Sequence, residues 1–133
     1  MIITADTNVL VRAVVGDDPQ QSAMAGAALR QADAIAVPLP VLCELVWVLR
    51  RVYAFSSADC VQAIEALLTS RTVVTDRPSV TASLKLLTTG GDFADGVIAF
   101  GGRALGAERM ATFDRRAAQL LNEAGEPVLL LSS

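Results

Sequence analysis

Short apolar runs alternate with longer helical patterns along the whole chain, and this alternation constrains the fold more than any other feature. It is the sequence pattern of a parallel sheet whose strands are connected by crossover helices. The sequence therefore predicts the α/β class, as a three-layer α/β/α sandwich with a central, mostly parallel sheet of about five short strands.

Prolines, glycines and capping residues set the approximate limits of these elements. The predicted strands are residues 2–5, 35–37, 72–75, 109–112 and 128–131. The predicted helices are residues 7–15, 19–30, 40–53, 56–68, 78–88, 93–105 and 115–122. No linker, low-complexity segment or internal repeat interrupts them, so residues 1–133 are expected to form a single domain.

Hydrophobic residues make up 53% of the 133-residue chain, so some apolar surface is expected to be covered by a partner. The apolar runs are nevertheless too short for a membrane-spanning helix, which needs about 20 apolar residues. The N-terminus also lacks the basic and apolar regions of a signal peptide. We therefore expect a cytoplasmic protein that has no membrane partner.

Histidine is absent, which removes the commonest general base and the commonest zinc ligand. Cys43 and Cys60 are not in a metal-ligand spacing, and both lie in predicted helices. We expect both to be buried apolar residues, with a disulfide as the alternative. Hydrolysis by this chain would therefore depend on carboxylates, hydroxyls, a cysteine or the single lysine, Lys85.

Two acidic residues in the first half of the chain stand at unusual positions. Asp6 directly follows the first predicted strand, at the edge where α/β sheets bind ligands, and it is also placed to cap the next helix. Glu44 is the only charge in the apolar segment 41–49. Because an unpaired buried carboxylate is costly, we expect Glu44 to have a cationic partner, either an arginine such as Arg51 or a metal ion.

Three aspartates in the second half of the chain also stand at element boundaries. Asp92 and Asp95 open a predicted helix in the segment GGDFADG. Capping of that helix explains Asp92 well but explains Asp95 less well. Asp114 lies between a strand and the last helix, where it is either a cap or a site residue.

These acids have ordinary structural explanations singly, but as an ordered set they predict a shared function. If Asp6, Glu44, Asp95 and Asp114 converge, mutual repulsion raises their pKa values unless a cation neutralises them. Oxygen ligands without histidine or thiolate favour Mg²⁺ or Mn²⁺. Such ions suit the in-line displacement of phosphate chemistry.

The same segments resemble the PIN domain family. They are Asp6-Thr7-Asn8, Glu44 in the third helix, DFAD at residues 92–95, and TFD at residues 112–114. The resemblance covers essentially the whole chain, and within the family the chain is similar to the VapC-type toxins of bacterial toxin–antitoxin pairs. It implies a Mg²⁺- or Mn²⁺-dependent endoribonuclease that hydrolyses RNA phosphodiester bonds with a metal-activated water, leaving 5′-phosphate and 3′-hydroxyl ends.

The resemblance also implies roles for the individual acids. Asp6, Glu44 and Asp95 match the family's core metal-binding and catalytic acids. Asp114 matches a fourth catalytic acid, which in the family more often acts on the metal through water. Asp92 matches a position that is often acidic but less essential.

Other positions of the motifs match polar or small residues of the family. Asn8 and Thr112 match residues that orient the site. One departure is Gly96, where family members usually carry alanine, and we expect this glycine to loosen helix packing.

The net charge of −3 argues against RNA binding at first sight, because phosphate contacts usually come from lysine and arginine. Five of the 14 acidic residues belong to the proposed site, however, which leaves nine against 11 basic residues. The arginines in segments adjoining the site are candidate phosphate contacts, with a solvated surface position as the alternative for each. These arginines are Arg12, Arg50, Arg51, Arg103, Arg115 and Arg116.

The resemblance further implies protein partners. These are a second copy in a homodimer and a cognate antitoxin, whose amphipathic segment lies in a groove between helices and produces a larger hetero-oligomer. Val9 and Trp47 are among the apolar residues available for such surfaces, whereas core packing better explains Val46 and Leu49.

Other functions would require other residues at these positions, or the same residues in a different role. A PIN-domain nuclease that processes RNA outside a toxin–antitoxin pair would carry the same acids. A phosphoacceptor receiver module would need an acidic pair at the first strand and a lysine after Thr112, and the chain has neither. A phosphatase with an aspartyl nucleophile would need an acid where Asn8 stands. A PIN-like scaffold that binds without cleaving would have lost acids, and none is lost.

Overall fold

The computed structural model describes residues 1–132, in which seven helices and five short strands follow one another. The helices are α1 (Thr7–Val15), α2 (Pro19–Gln31), α3 (Leu39–Arg51), α4 (Ser57–Leu68), α5 (Arg77–Thr88), α6 (Phe93–Ala104) and α7 (Arg115–Glu123). The strands are β1 (Ile2–Thr4), β2 (Ala34–Ala36), β3 (Val73–Val74), β4 (Met110–Thr112) and β5 (Val128–Leu130). The α/β class and the order of elements predicted from the sequence are confirmed. No helix in this part of the chain is long and apolar enough to cross a membrane.

Local sequence explains several helix ends. Gly16 has a φ of 70° and ends α1 in the left-handed conformation that glycine adopts without strain. At the start of α4, the Ser56 hydroxyl accepts a hydrogen bond from the Asp59 N–H at 3.0 Å. The Asp59 carboxylate accepts one in return from the Ser56 N–H at 3.3 Å, which completes a capping box at the predicted start of this helix.

The end of α3 differs from the prediction, which extended this helix to residue 53. The helix ends at Arg51, and Ala54 follows with a φ of 56°. The Phe55 N–H donates to the Leu49 carbonyl at 2.9 Å, so the chain closes back on the end of the helix across the left-handed Ala54. This bond spans one residue more than the usual Schellman closure. Because glycine usually occupies that position, an alanine there gave no signal in the sequence.

The chain divides into two compact units, one from Met1 to Asp76 and one beginning at Arg77. In unit 1, β2 lies between β1 and β3, and all three strands are parallel. In unit 2, β4 and β5 form a two-stranded parallel sheet. The prediction of one five-stranded sheet is therefore wrong. Strands of two or three residues carry too little pattern to specify their neighbours, so the pairing could not be inferred from sequence.

Unit 1 is built around α3, which packs against α1 and α4. The side chains that α3 buries are aliphatic, namely Leu42, Leu45, Val46 and Leu49. The expectation that Val46 and Leu49 are core residues is thus confirmed. No disulfide joins Cys43 and Cys60, and burial raises the pKa of the Cys60 thiol.

Unit 2 is built around the packing of α5 against α6, with a core cluster of Leu86, Ala99 and Leu121. Gly96 of α6 is buried against α5, and a Cβ atom there would lie 2.7 Å from the Ser83 Cα. The expectation that Gly96 loosens helix packing is therefore wrong. The missing side chain instead allows the two helices to approach closely.

Candidate functional site

In unit 1, Thr7 connects the two acids that the sequence singled out. The Asp6 carboxylate caps α1 by accepting a hydrogen bond from the Thr7 N–H at 2.8 Å. The buried Thr7 hydroxyl donates to the Glu44 carboxylate of α3 at 2.9 Å. Thr7 was not predicted as a site residue, because nothing local marks a contact between residues 37 positions apart. The only available signal was its place between Asp6 and Asn8.

Glu44 itself is exposed, so the expectation of a buried carboxylate is wrong. The helix has a wide apolar face, but Glu44 lies outside that face together with Trp47 and Arg51. Arg51, one of the two cationic partners expected for Glu44, stacks instead over the Trp47 ring, with its guanidinium carbon 5.7 Å from the ring centroid. Glu44 is therefore held by the Thr7 hydroxyl rather than by an arginine.

In unit 2, Asp92 and Asp114 are helix caps, which is the structural role that the sequence offered for each of them. The Asp92 carboxylate accepts a hydrogen bond from the Ala94 N–H at 3.1 Å at the start of α6. The Asp114 carboxylate accepts one from the Ala117 N–H at 3.0 Å at the start of α7. Thr112 stabilises the turn between β4 and α7, because its hydroxyl accepts a hydrogen bond from the Asp114 N–H at 3.1 Å.

Asp95 has no comparable structural role. It is the third residue of α6, where Asp59 closes the capping box in α4, but no corresponding bond forms here. Its half-buried carboxylate receives no hydrogen bond and no ion pair from residues 1–132. Burial, followed by the nearby charges of Asp92 and Asp114, raises the pKa of Asp95. The position of Asp95 thus destabilises its charged form, and no hydrogen bond or ion pair within residues 1–132 offsets this cost.

The three unit 2 aspartates line one cleft of about 200 Å³, here called the acidic cleft. The backbone of residues 90–91 forms part of its wall, and Arg116 of α7 also lines it. Within the part of the chain that the structure describes, Arg116 pairs with none of these carboxylates. The acidic cleft therefore combines a surplus of negative charge with one uncommitted guanidinium.

Two of the candidate phosphate-binding arginines are engaged by carboxylates. Arg12 donates to Asp17 at 2.8 Å, and the Tyr53 hydroxyl donates to the same carboxylate at 2.9 Å. The Tyr53 bond first and Arg12 second lower the pKa of Asp17. Arg103 forms an ion pair with the buried Glu126 at 2.8 Å. Phosphate binding by either arginine would require these pairs to break.

The remaining candidate arginines form no ion pair with a carboxylate of residues 1–132. Arg50 donates to the Ser57 hydroxyl, while Arg51 stacks on the indole ring as described above. Arg115 and Arg116 are exposed and make no hydrogen bond or ion pair within residues 1–132. Of these two, only Arg116 lines the acidic cleft.

Asn8, predicted to orient the site, is exposed at the edge of a groove between α1 and α2. Its side chain makes no hydrogen bond to any residue that the structure describes. The deeply buried acid of this chain is Glu126, which the sequence analysis missed. Glu126 lies between the turn residues Gly125 and Pro127, and no local pattern there marks a buried acid.

The donors present suit a hard divalent cation. All the candidate ligands are carboxylates, which is the chemistry that Mg²⁺ and Mn²⁺ require. A cation would also reverse the raised pKa of Asp95, because it stabilises the charged form. Among residues 1–132, however, no three acidic or cysteine side chains are arranged to hold one ion together. The carboxylate donors and the negative charge at Asp95 are therefore the two features that fit a divalent cation.

Comparison with known proteins gives one result that bears on this site. The PIN domain family matches residues 3–121, a span that includes Asp6, Glu44, Asp92, Asp95 and Asp114. No curated protein sequence matches the chain. PIN domains are generally nucleases, and they typically use divalent metal ions. Because the match extends over most of its 133 residues, the chain belongs to the PIN domain family and has a nuclease-type fold.

Proposed function

We propose that this PIN-domain protein is a Mg²⁺- or Mn²⁺-dependent endoribonuclease. The observation that carries the proposal is Asp95, a half-buried carboxylate with a raised pKa and two acidic neighbours in one cleft. Folding alone gives no reason for such an arrangement, since it destabilises the charged form. A divalent ion would account for it, because its positive charge stabilises the ionised carboxylates.

In the proposed reaction, Asp6, Glu44, Asp95 and Asp114 are the metal-binding acids, with Asp92 as a further candidate. When bound, a divalent ion supplies positive charge that neutralises carboxylates and favours in-line attack by water at phosphorus. Thr7 restrains the Glu44 carboxylate through its hydroxyl, and Thr112 restrains the turn that begins α7. Both restraints reduce the freedom of these groups before the substrate binds.

Binding of the RNA phosphates requires cations that are not already paired. Arg116 is the candidate that lines the acidic cleft, and its guanidinium is free to donate two parallel hydrogen bonds to a phosphate. Arg50, Arg51 and Arg115 are exposed and are further candidates for more distant phosphates. The RNA itself would then be oriented by arginines and cleaved beside carboxylates.

We further propose that the nuclease is the toxin of a VapC-type pair, acting as a cytoplasmic homodimer that binds a cognate antitoxin. A groove of about 320 Å³ between α1 and α2, lined by Val9, Met24, Ala25 and Ala28, supports this, because it suits the apolar face of a helical segment. The test is to inspect the neighbouring reading frame for a small DNA-binding protein and to co-express that protein with the nuclease. Cleavage that continues undiminished in its presence would leave RNA processing outside such a pair as the role.

The deciding experiment is cleavage of RNA by the purified chain with Mg²⁺ or Mn²⁺, compared with EDTA. Wild type is expected to cleave only with metal, and Asp95→Asn is expected to lose cleavage. Asp18→Asn is the matched control, because Asp18 caps α2 and asparagine is an equally good cap. Metal-independent cleavage, or equal activity of Asp95→Asn and Asp18→Asn, would contradict the proposal.

A further inference from the structure

Trp47 is the one large apolar side chain that α3 leaves in solvent, with 59% of its surface exposed. The other exposed positions of α3 are Pro40, Glu44, Arg50 and Arg51. The exposed residues one helical turn from Trp47 on α3 are thus all charged, namely Glu44, Arg50 and Arg51. This composition differs from the centre of a protein–protein interface, where charged residues are depleted.

Arg51 lies over the Trp47 ring at 5.7 Å, one helical turn further along α3. This stacking holds the guanidinium over one face of the indole and places positive charge next to the ring. Phe113 is also exposed, but no cation in residues 1–132 stacks on its ring. Only at Trp47 does the described part of the chain combine an exposed ring with a stacked cation.

Glu44 lies three residues before Trp47 on α3, about 5 Å along the helix axis. The two residues are neighbours on the helix surface, as side chains at this spacing are. A ligand on the ring would therefore lie within one nucleotide of the Glu44 carboxylate.

We propose that Trp47 and Arg51 form a stacking platform for a base of single-stranded RNA, next to Glu44. The inference rests on the proposed function, and it specifies the form of the substrate. A nucleobase would stack on the exposed ring, and the adjoining phosphate would bind the guanidinium. The platform would therefore bind both the base and the phosphate of one nucleotide. Such stacking tolerates any base and requires an unpaired strand, because paired bases are stacked on each other.

Trp47 is the single tryptophan of the chain, so intrinsic fluorescence reports directly on the platform. The chain is titrated with oligouridylate in EDTA, which prevents metal-dependent cleavage. Stacking predicts saturable quenching of the fluorescence. Inorganic polyphosphate, which offers the charge without the bases, should leave the fluorescence largely unchanged.

Variants then test the two side chains by anisotropy of a labelled oligouridylate. Trp47→Ala is expected to weaken binding about tenfold, whereas Trp47→Phe keeps a flat ring and should lose less. Arg51→Ala should also weaken binding and reduce its dependence on salt. Val52→Ala is the matched control, since Val52 is 62% exposed and carries no ring, and its binding should equal that of wild type.

Three outcomes would overturn the platform. The first is binding of oligouridylate without quenching, or without any loss in Trp47→Ala. The second is a fluorescence change on diluting the protein alone, which would mean that a second copy covers the ring. The third is no binding by wild type. By contrast, binding and quenching without cleavage of any RNA in Mn²⁺ would contradict the nuclease proposal and leave the platform intact.

Discussion

Replacing Gly96 by alanine tests whether the close approach of α5 and α6 requires a glycine at this position. The added Cβ would lie 2.7 Å from the Ser83 Cα and 2.8 Å from its hydroxyl oxygen. Because the nearest atom belongs to the backbone, one helix must move to relieve the contact. Gly101 lies in the same helix, and a Cβ atom there meets nothing within 4 Å.

The magnitude follows from two opposing terms. Alanine favours a helix over glycine by about 1 kcal/mol at either position. Overpacking a tight contact costs about 1–3 kcal/mol, and this cost applies to Gly96→Ala alone. Gly101→Ala should therefore stabilise the protein by up to about 1 kcal/mol, with Gly96→Ala about 1–3 kcal/mol less stable than Gly101→Ala.

Urea denaturation followed by circular dichroism measures the difference, which corresponds to roughly 3–5 °C in Tm for each kcal/mol in a chain of this length. Because Gly96 adjoins Asp95, the displaced helix should also lower RNA cleavage in Gly96→Ala but not in Gly101→Ala. If Gly96→Ala proves as stable as Gly101→Ala, the steric argument is refuted, and the expectation of a loosened helix is restored.

Three further predictions concern charge. Asp95→Asn should stabilise the metal-free chain near pH 7 in denaturation experiments. The folded-state pKa is raised, so wild-type stability falls as the pH rises through the range between the unfolded and folded values, and the variant's advantage should vanish below about pH 4. Glu126→Gln should cost about 1.5–3 kcal/mol in urea denaturation, because it leaves the half-exposed Arg103 without its buried charged partner. Arg116→Ala should reduce the salt slope of single-stranded RNA binding by about 0.7, a larger change than Arg115→Ala produces, because Arg115 lies outside the acidic cleft.

Local sequence was a good guide wherever a few consecutive residues make the interaction. The capping box of Ser56 and Asp59 and the helix caps at Asp92 and Asp114 each involve groups no more than three positions apart. Such bonds depend on little else in the chain, so the start of a helix could be predicted from the residues at that point. The order and kinds of elements followed in the same way.

The acids of the candidate site were found by a different kind of signal. Asp6 and Asp114 were indicated by their place directly after a strand, and Asp95 by the failure of capping to explain it. The structure leaves Asp95 without a described hydrogen-bond or ion-pair partner, which strengthens that reasoning. Glu44 was selected for burial that the structure contradicts, although it contacts Thr7 beside Asp6.

By itself, therefore, the sequence determined the α/β class, the succession of elements, their caps and the PIN-type pattern of acids. Tertiary structure alone decided the split into sheets of three and two strands, the exposure of Glu44 and Trp47, and the burial of Glu126 against Arg103. The physical reason is the separation along the chain between the residues that interact. Caps and turns form between residues within a few positions, whereas strand pairing and the burial of Glu126 depend on partners 18 or more residues away, which no local pattern specifies.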